Sequence, residues 1–338
     1  MTTETSDKAQ GASVVLAPEG KKEAQREVFG ETLSELANEF SNLLVLDGDL
    51  ANSTRADIFA EKQPAKFLQM GIAEQNLMGV AAGLATVGFI PFISTFAVFA
   101  VKRALDQVRV VVAQPGLNVK ITGGYSGLLT GKTGKTHQAV EDLAVMRAMP
   151  HMTVIVPADG VELRQVLRAA CLYDGPMYIR LTRDFSPNIF SDDYKFELGK
   201  AIIVREGGDI TIISTGVQTV RSLEAAAMLA AEGIEAHVLH VPSLKPLDSA
   251  AIVEAARRTG RVVTAEDHSI IGGLGSAVAE TLAEAGCGIP LRRIGMPDCF
   301  AHAVGSRDHL IRHYGLDAPA IAAAARRAPG STTERAAA

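Results

Sequence analysis

Tryptophan is absent from this 338-residue chain, and aromatic residues make up only 5% of it. An aliphatic, alanine-rich core follows, and any aromatic ring placed at a strand end gains weight as a candidate functional group. Cysteine is equally scarce. The three present, Cys171, Cys287 and Cys299, are odd in number and far apart. They argue against a disulfide framework or a thiolate metal site, and fit a reducing, cytoplasmic setting. Neither sign of charge is in large excess: the net charge is −5, which gives no broad footprint for nucleic acid. No apolar run approaches the ~18 residues of a membrane span. The N-terminus lacks the apolar stretch of a signal peptide. Neither nucleic acid nor a membrane is therefore expected as a partner. Residues 1–21, and those from about Pro329 onward, are rich in small and polar groups and read as disordered tails.

What is present is a normal globular composition, 47% hydrophobic and 21% charged, long enough for about two domains of ~150 residues. Short apolar runs alternate with longer helical patterns. Leu43–Leu46, Gly88–Ile93, Asn118–Thr122, Thr153–Val156 and Met177–Leu181 read as buried strands. Helices are expected near 24–40, 73–87, 96–114 and 159–173. Ser186–Gly199 breaks the rhythm and reads as a linker. A second series follows, with strands at Asp209–Thr215, Glu235–Val241, Arg261–Ala265 and Leu291–Ile294, separated by helices. This alternation predicts an α/β protein of two doubly wound domains, at 22–190 and 200–328. In open parallel sheets ligands gather at the carboxyl ends of strands, so the loops there carry the chemistry.

Four such loops stand out. Asp47-Gly48-Asp49-Leu50-Ala51-Asn52-Ser53 is tight and acidic, and reads equally as a turn with a helix cap. Gly71-Ile72-Ala73-Glu74-Gln75-Asn76 leads into Met78-Gly79-Val80-Ala81-Ala82-Gly83, a helix so poor in bulk that another surface can press against it. Its Glu74 is either a favourable first-turn acid or a functional carboxylate. Phe96 and Phe99 fall on one face of the predicted helix: either core, or a platform for stacking a ring. The loop from Gly123 to His137 contains Gly131-Lys132-Thr133 and Gly134-Lys135-Thr136. Both fail the P-loop register, because Ser126 and Leu129 stand where the leading glycine belongs. A mobile loop offering two cations to an anionic substrate fits better. His137, where that loop rejoins ordered chain, is a candidate proton carrier.

Taken in order, Gly71-Ile72-Ala73-Glu74-Gln75-Asn76, Ser94-Thr95-Phe96-x-x-Phe99 and Thr136-His137-Gln138 resemble transketolases and the related deoxyxylulose-phosphate synthases. Glu266-Asp267-His268, Gly272-Gly273-Leu274-Gly275 and Ile294-Gly295-Met296-Pro297-Asp298 are similar to their C-terminal domain. The resemblance spans residues 22–327. It implies a pyrimidine-binding domain followed by a transketolase C-terminal domain, without the domain that holds the cofactor diphosphate. The chain then resembles one half of a split transketolase. Thiamine diphosphate would be shared with an N-terminal subunit, which alone would bind Mg²⁺, in a heterotetramer acting on small sugars. No metal ligand is expected on this chain.

By the same resemblance Glu74 shares a proton with the aminopyrimidine ring and thereby activates the cofactor. Partial burial would keep that carboxyl protonated more readily. Phe99 stacks on the ring, Phe96 lies beside it, and Asp49 sits near the cofactor. His137 faces the reacting hydroxyls. Ser53 matches a family position near the substrate, and Arg26 and Arg183 resemble arginines that grip the anionic end of sugar phosphates, a task suited to a guanidinium fork. Tyr125, Lys132, Thr133 and Lys135 depart from the usual transketolase residues, which implies an unusual anionic substrate. Two related activities remain open: that of a deoxyxylulose-phosphate synthase and that of the β subunit of 2-oxo-acid dehydrogenases. So does a purely assembly role.

Overall fold

The computed structural model describes residues 21–328, apart from the side chains of Leu129 and Lys132. The strands of the N-terminal half are β1 (Lys22–Ala24), β2 (Leu43–Asp47), β3 (Phe67–Gln69), β4 (Ile90–Phe96), β5 (Lys120–Gly124), β6 (Thr153–Ile155), β7 (Met177–Arg180) and β8 (Phe185–Pro187). Those of the C-terminal half are β9 (Ile202–Arg205), β10 (Ile210–Ser214), β11 (Ala236–His240), β12 (Ser243–Lys245), β13 (Val262–Ser269) and β14 (Leu291–Met296). Two large sheets result, ordered β12-β6-β7-β5-β4-β2-β3 and β14-β13-β10-β11-β9. Both are parallel except for one antiparallel edge strand each, β12 and β9. The continuous apolar runs read in the sequence are buried on both faces, as parallel strands require: every residue of β2 and β4 is buried.

β2, β4 and β5 lie side by side, and their register sets Asp47 beside Ser94 and Phe96 beside Gly124. Whatever follows these three strands therefore emerges at one edge. The helix Glu74–Thr86 packs Leu77, Met78, Ala81 and Ala82 inward. Its Gly79 and Gly83 face open space, with no atom within 4 Å of where a side chain would begin.

Three expectations are corrected. The single helix expected at 96–114 is broken into Ala97–Lys102, Leu105–Gln107 and a π-helical turn at Val108–Ala113. Phe96 ends β4 instead of lying on that helix. Four valines crowd positions 108–112, and β-branched side chains strain a regular α-helix. The expected linker is not a solvated connection. Phe185–Pro187 pairs antiparallel with β1, and Ile189, Phe190 and Tyr194 are buried. Asp159, which caps the helix Gly160–Leu172 by accepting from Glu162 N, also accepts from Ile189 N at 2.6 Å and Phe190 N at 3.0 Å. Finally, β12 belongs by sequence to the second half and by pairing to the first sheet. Residues 1–20 and 329–338, the two predicted tails, lie outside the described residues. Lys21, the last residue of the first, accepts from Asn188 N at 3.0 Å.

Candidate active site

Glu74 opens its helix and is 1% exposed. A carboxylate there is favoured by the helix dipole but stripped of water, so it needs donors. Arg103 supplies them. Its Nη1 donates to both carboxylate oxygens at 2.8 Å, and its guanidinium lies 4.9 Å from the Phe99 ring centre. Gln75 Nε2 donates to Arg103 O at 3.1 Å and ties the break in the 97–107 region to the helix of Glu74.

The aromatic rings form a continuous stack. Phe96 lies 5.9 Å from Phe99 and 4.1 Å from Tyr125, nearly parallel to both. Arg183 sits 5.4 Å over the Tyr125 ring. His137 meets Phe99 edge-on at 5.5 Å and Phe96 at 6.1 Å, with Nδ1 2.8 Å from Thr136 Oγ1. Arg26 Nη1 donates at 3.1 Å both to Tyr125 Oη and to Ser53 O. A ribbon from Arg103 through Phe99, Phe96 and Tyr125 to Arg183 thus joins Glu74, His137, Arg26 and Ser53. Stacked aromatics ending in cations present a flat apolar wall with charge at both ends.

The loop between Tyr125 and His137 is held from below. Ser126 Oγ donates to Leu181 O, and Gly127 N to Ala139 O, both at 2.8 Å. Leu128 N donates to Asp267 Oδ1 at 3.2 Å, across to the C-terminal half. Gly127 is obligatory here. Its φ is +65°, and a Cβ would stand 2.0 Å from Asp267 Oδ2.

The remaining sequence candidates lie further out. Asp49 sits at the same edge, in a left-handed conformation (φ +64°), its N–H donating to Gln69 Oε1. Buried Asp47 holds that turn by accepting from Leu50 N, Ala51 N and Gln69 Nε2, and burial pushes its carboxyl up. Thr133 lines a cavity with Arg183, whereas Lys135 is exposed and outside that lining. The Lys132 side chain lies outside the described residues. Arg103 is the residue sequence reasoning missed as a site member. Its spacing of four from Phe99 on a helical pattern is the signal that could have found it. Among the described residues no group of three His, Cys, Asp or Glu is placed to hold a metal. The arrangement offers a buried carboxylate beside an aromatic face, a histidine over that face, and arginines at its far end: a seat for a flat, nitrogen-bearing ring and an anionic substrate.

Comparison with known proteins is consistent along the whole fold. Residues 21–187 match the transketolase pyrimidine-binding domain, and residues 199–321 match the transketolase C-terminal domain. The chain is 45% identical to the 6-deoxy-6-sulfo-D-fructose transketolase subunit SqwH of Clostridium sp. (strain MSTE9), over 89% of this chain and 92% of that protein. It is 40% identical to an apulose-4-phosphate transketolase subunit of Phocaeicola vulgatus, over 88% of this chain and 95% of that one. A solved split-gene transketolase, an inactive β4 tetramer, superimposes with a TM-score of 0.82 at 49% identity, covering 90% of this chain and 97% of its own. This chain belongs to the transketolase family, whose members depend on thiamine diphosphate, and contains its pyrimidine-binding and C-terminal domains.

Proposed function

We propose that this chain is the pyrimidine-activating subunit of a two-subunit transketolase, which moves a two-carbon ketol unit from an anionic ketose to an aldehyde. The observation that carries this is Arg103. It is a planar, nitrogen-bearing donor lying 4.9 Å over the Phe99 ring and hydrogen-bonded to both oxygens of buried Glu74. An aminopyrimidine ring has the same flatness and the same donor edge, so the Glu74–Phe99 seat fits the pyrimidine end of thiamine diphosphate.

When bound, thiamine diphosphate supplies the carbon nucleophile that takes up and releases the ketol unit. Glu74 would hold a proton at the pyrimidine ring nitrogen. Phe99, with Phe96 behind it, would orient the ring and exclude water. His137 would hold or pass a proton at a substrate hydroxyl. Arg26, Ser53, Tyr125 and Arg183 would fix the substrate's anionic end, with Asp49, Thr133 and the loop lysines 132 and 135 around them.

The diphosphate and Mg²⁺ sites would come from a separate N-terminal subunit. Supporting this, two relatives of similar length are named as subunits, and one solved relative is an inactive tetramer of such chains. Exposed Ile72 and Val87, with the bare face at Gly79 and Gly83 between them, form a surface beside Glu74 on which that second chain could pack closely.

The test is reconstitution with such a subunit, thiamine diphosphate and Mg²⁺. The chain alone should be inactive and the complex active on phosphorylated or sulfonated ketoses. Glu74→Gln should lower kcat by about 10²–10⁴-fold with assembly intact. Undiminished turnover in that variant would leave only an assembly role.

A further inference from the structure

β2 and β3 run parallel, and their register sets Gln69 beside Asp47 at the carboxyl edge of the sheet. Two turns leave from that edge. Gly48-Asp49 follows β2, and Met70-Gly71-Ile72-Ala73 follows β3 and delivers Glu74. The amide of Gln69 holds both. Its Oε1 accepts from Asp49 N at 3.1 Å and from Gly71 N at 2.9 Å, and its Nε2 donates to Asp47 Oδ2 at 2.9 Å.

The two N–H groups meet one oxygen where each turn contains a left-handed residue, with φ of +64° at Asp49 and +69° at Gly71. Glycine takes that conformation freely, whereas aspartate is strained in it and stays only where its surroundings hold it. Beyond Gly71 the hold passes into the helix: Ala73 N donates to Gly71 O, and Leu77 N to Ala73 O, both at 2.8 Å. The N-cap of that helix, Ala73, makes no side-chain bond to close the first turn. The entry of the helix is therefore left to the turn that Gln69 secures. On the other side, Asp47 Oδ2 also accepts from Leu50 N at 2.9 Å and Ala51 N at 3.1 Å, which carries the hold toward Ser53. The position needs one donor for a carboxylate and one acceptor shared by two N–H groups, and a neutral glutamine offers both from a single end.

Resting on the ketol-transfer reading above, we propose that Gln69 is a positioning residue for that reaction. Acting through Asp49 and Glu74, it keeps the cofactor-side turn and the helix mouth at one separation, so that Glu74 is already aimed when the ring arrives.

Amide hydrogen exchange of the full chain alone, followed by mass spectrometry, tests the clamp without any need for turnover. Gln69→Met keeps the length and loses all three bonds. Peptides covering 48–54 and 70–77 should both exchange about tenfold faster in it, while 262–269 stays unchanged. Gln69→Glu keeps the shared acceptor and should restore most of the protection. Gln69→Asn, one methylene short of both N–H groups, carries the same prediction as Gln69→Met should that variant not fold. Faster exchange in one turn alone, or in neither, overturns the clamp. In the reconstituted complex Gln69→Met should lower kcat about tenfold with the ketose KM nearly unchanged, and Gln69→Glu should recover it. An active complex whose kcat ignores Gln69→Met overturns the positioning role and leaves the ketol-transfer reading standing. Coupled exchange in a chain whose complex is inactive on every ketose does the reverse, keeping the clamp and removing that reading.

Discussion

Glu74 is buried and yet both its carboxyl oxygens are partnered, and its partner is half exposed at 48%. That asymmetry defines the residue. Arg103 can leave for water at modest cost, whereas Glu74 cannot follow. Arg103→Ala should destabilise the isolated chain by about 1–2 kcal/mol, less than a fully buried broken pair because solvent reaches the vacated side. On the proposed function the cofactor takes over both of Arg103's contacts. The same substitution should then cost little in the loaded complex. Denaturant unfolding of the chain alone and of the holo-complex checks this; equal losses would mean that Arg103 stays on Glu74 after loading. The sequence pointed to Glu74 through its place at the mouth of a small-residue helix. It did not point to Arg103 as a site member, because that pairing spans 29 residues and depends on how the broken 97–107 region is tied down by Gln75.

At the scale of elements, the ribbon of β1 and β8 shows how short pieces are stabilised by charge. Three-residue strands have little intrinsic stability. Glu23 secures β1 with a two-pronged bond to Arg164, at 2.6 and 2.9 Å, and accepts from Asn188 Nδ2 at 2.8 Å. The Arg164 hydrogen bonds outweigh burial and hold the Glu23 carboxyl down at about 2. A lowered folded-state value stabilises above the unfolded value of 4.5 and is lost as pH falls toward 2. Solvent at Arg164, 36% exposed, reduces the effect to about 1–2 kcal/mol. Glu23→Gln should therefore weaken the protein at pH 7, while the gap from wild type should narrow at about pH 3. Urea midpoints at the two pH values measure it, and a gap that widens in acid would contradict the assignment. The long apolar strands were legible because burial on both faces leaves an uninterrupted run. β1, β3, β8 and β12 were not, since these short segments are not fully buried and lack such a run, and each owes its conformation to a distant partner.

At the scale of the molecule, the sequence suggested two domains joined by a linker, and the structure joins them more tightly. Val154 and Val156 share one apolar cluster with Ile213, Leu239, Val241 and Leu244, so the core runs through the boundary. Arg180 fastens the same boundary from the polar side. Nearly inaccessible, it donates from Nε and Nη2 to Asp142, and from Nη2 to Ala139 O at 3.1 Å and to Asp267 O at 2.8 Å. Burial alone would raise the Asp142 carboxyl, but Arg180 wins and holds it below its ordinary value. No local pattern announces such a residue, because a single arginine in an apolar strand gains meaning only when three separate segments converge on it. Ala139 lies two residues beyond His137, so the bond that joins the domains also fixes the end of the substrate loop. Arg180→Met keeps the volume but leaves buried Asp142 without its cation, with Tyr178 Oη the one side chain still donating to it among the described residues. The cost should be about 3–5 kcal/mol. It should fall on the boundary more than on either sheet, so calorimetry should resolve two transitions in the variant and one in the wild type. A single transition shifted as a whole would place Arg180 in the N-terminal core instead. If activity of the reconstituted complex survived while the transitions separated, the domain boundary and the substrate loop would be independent. The shared bonds of Arg180 to Ala139 and Asp267 predict that they fail together.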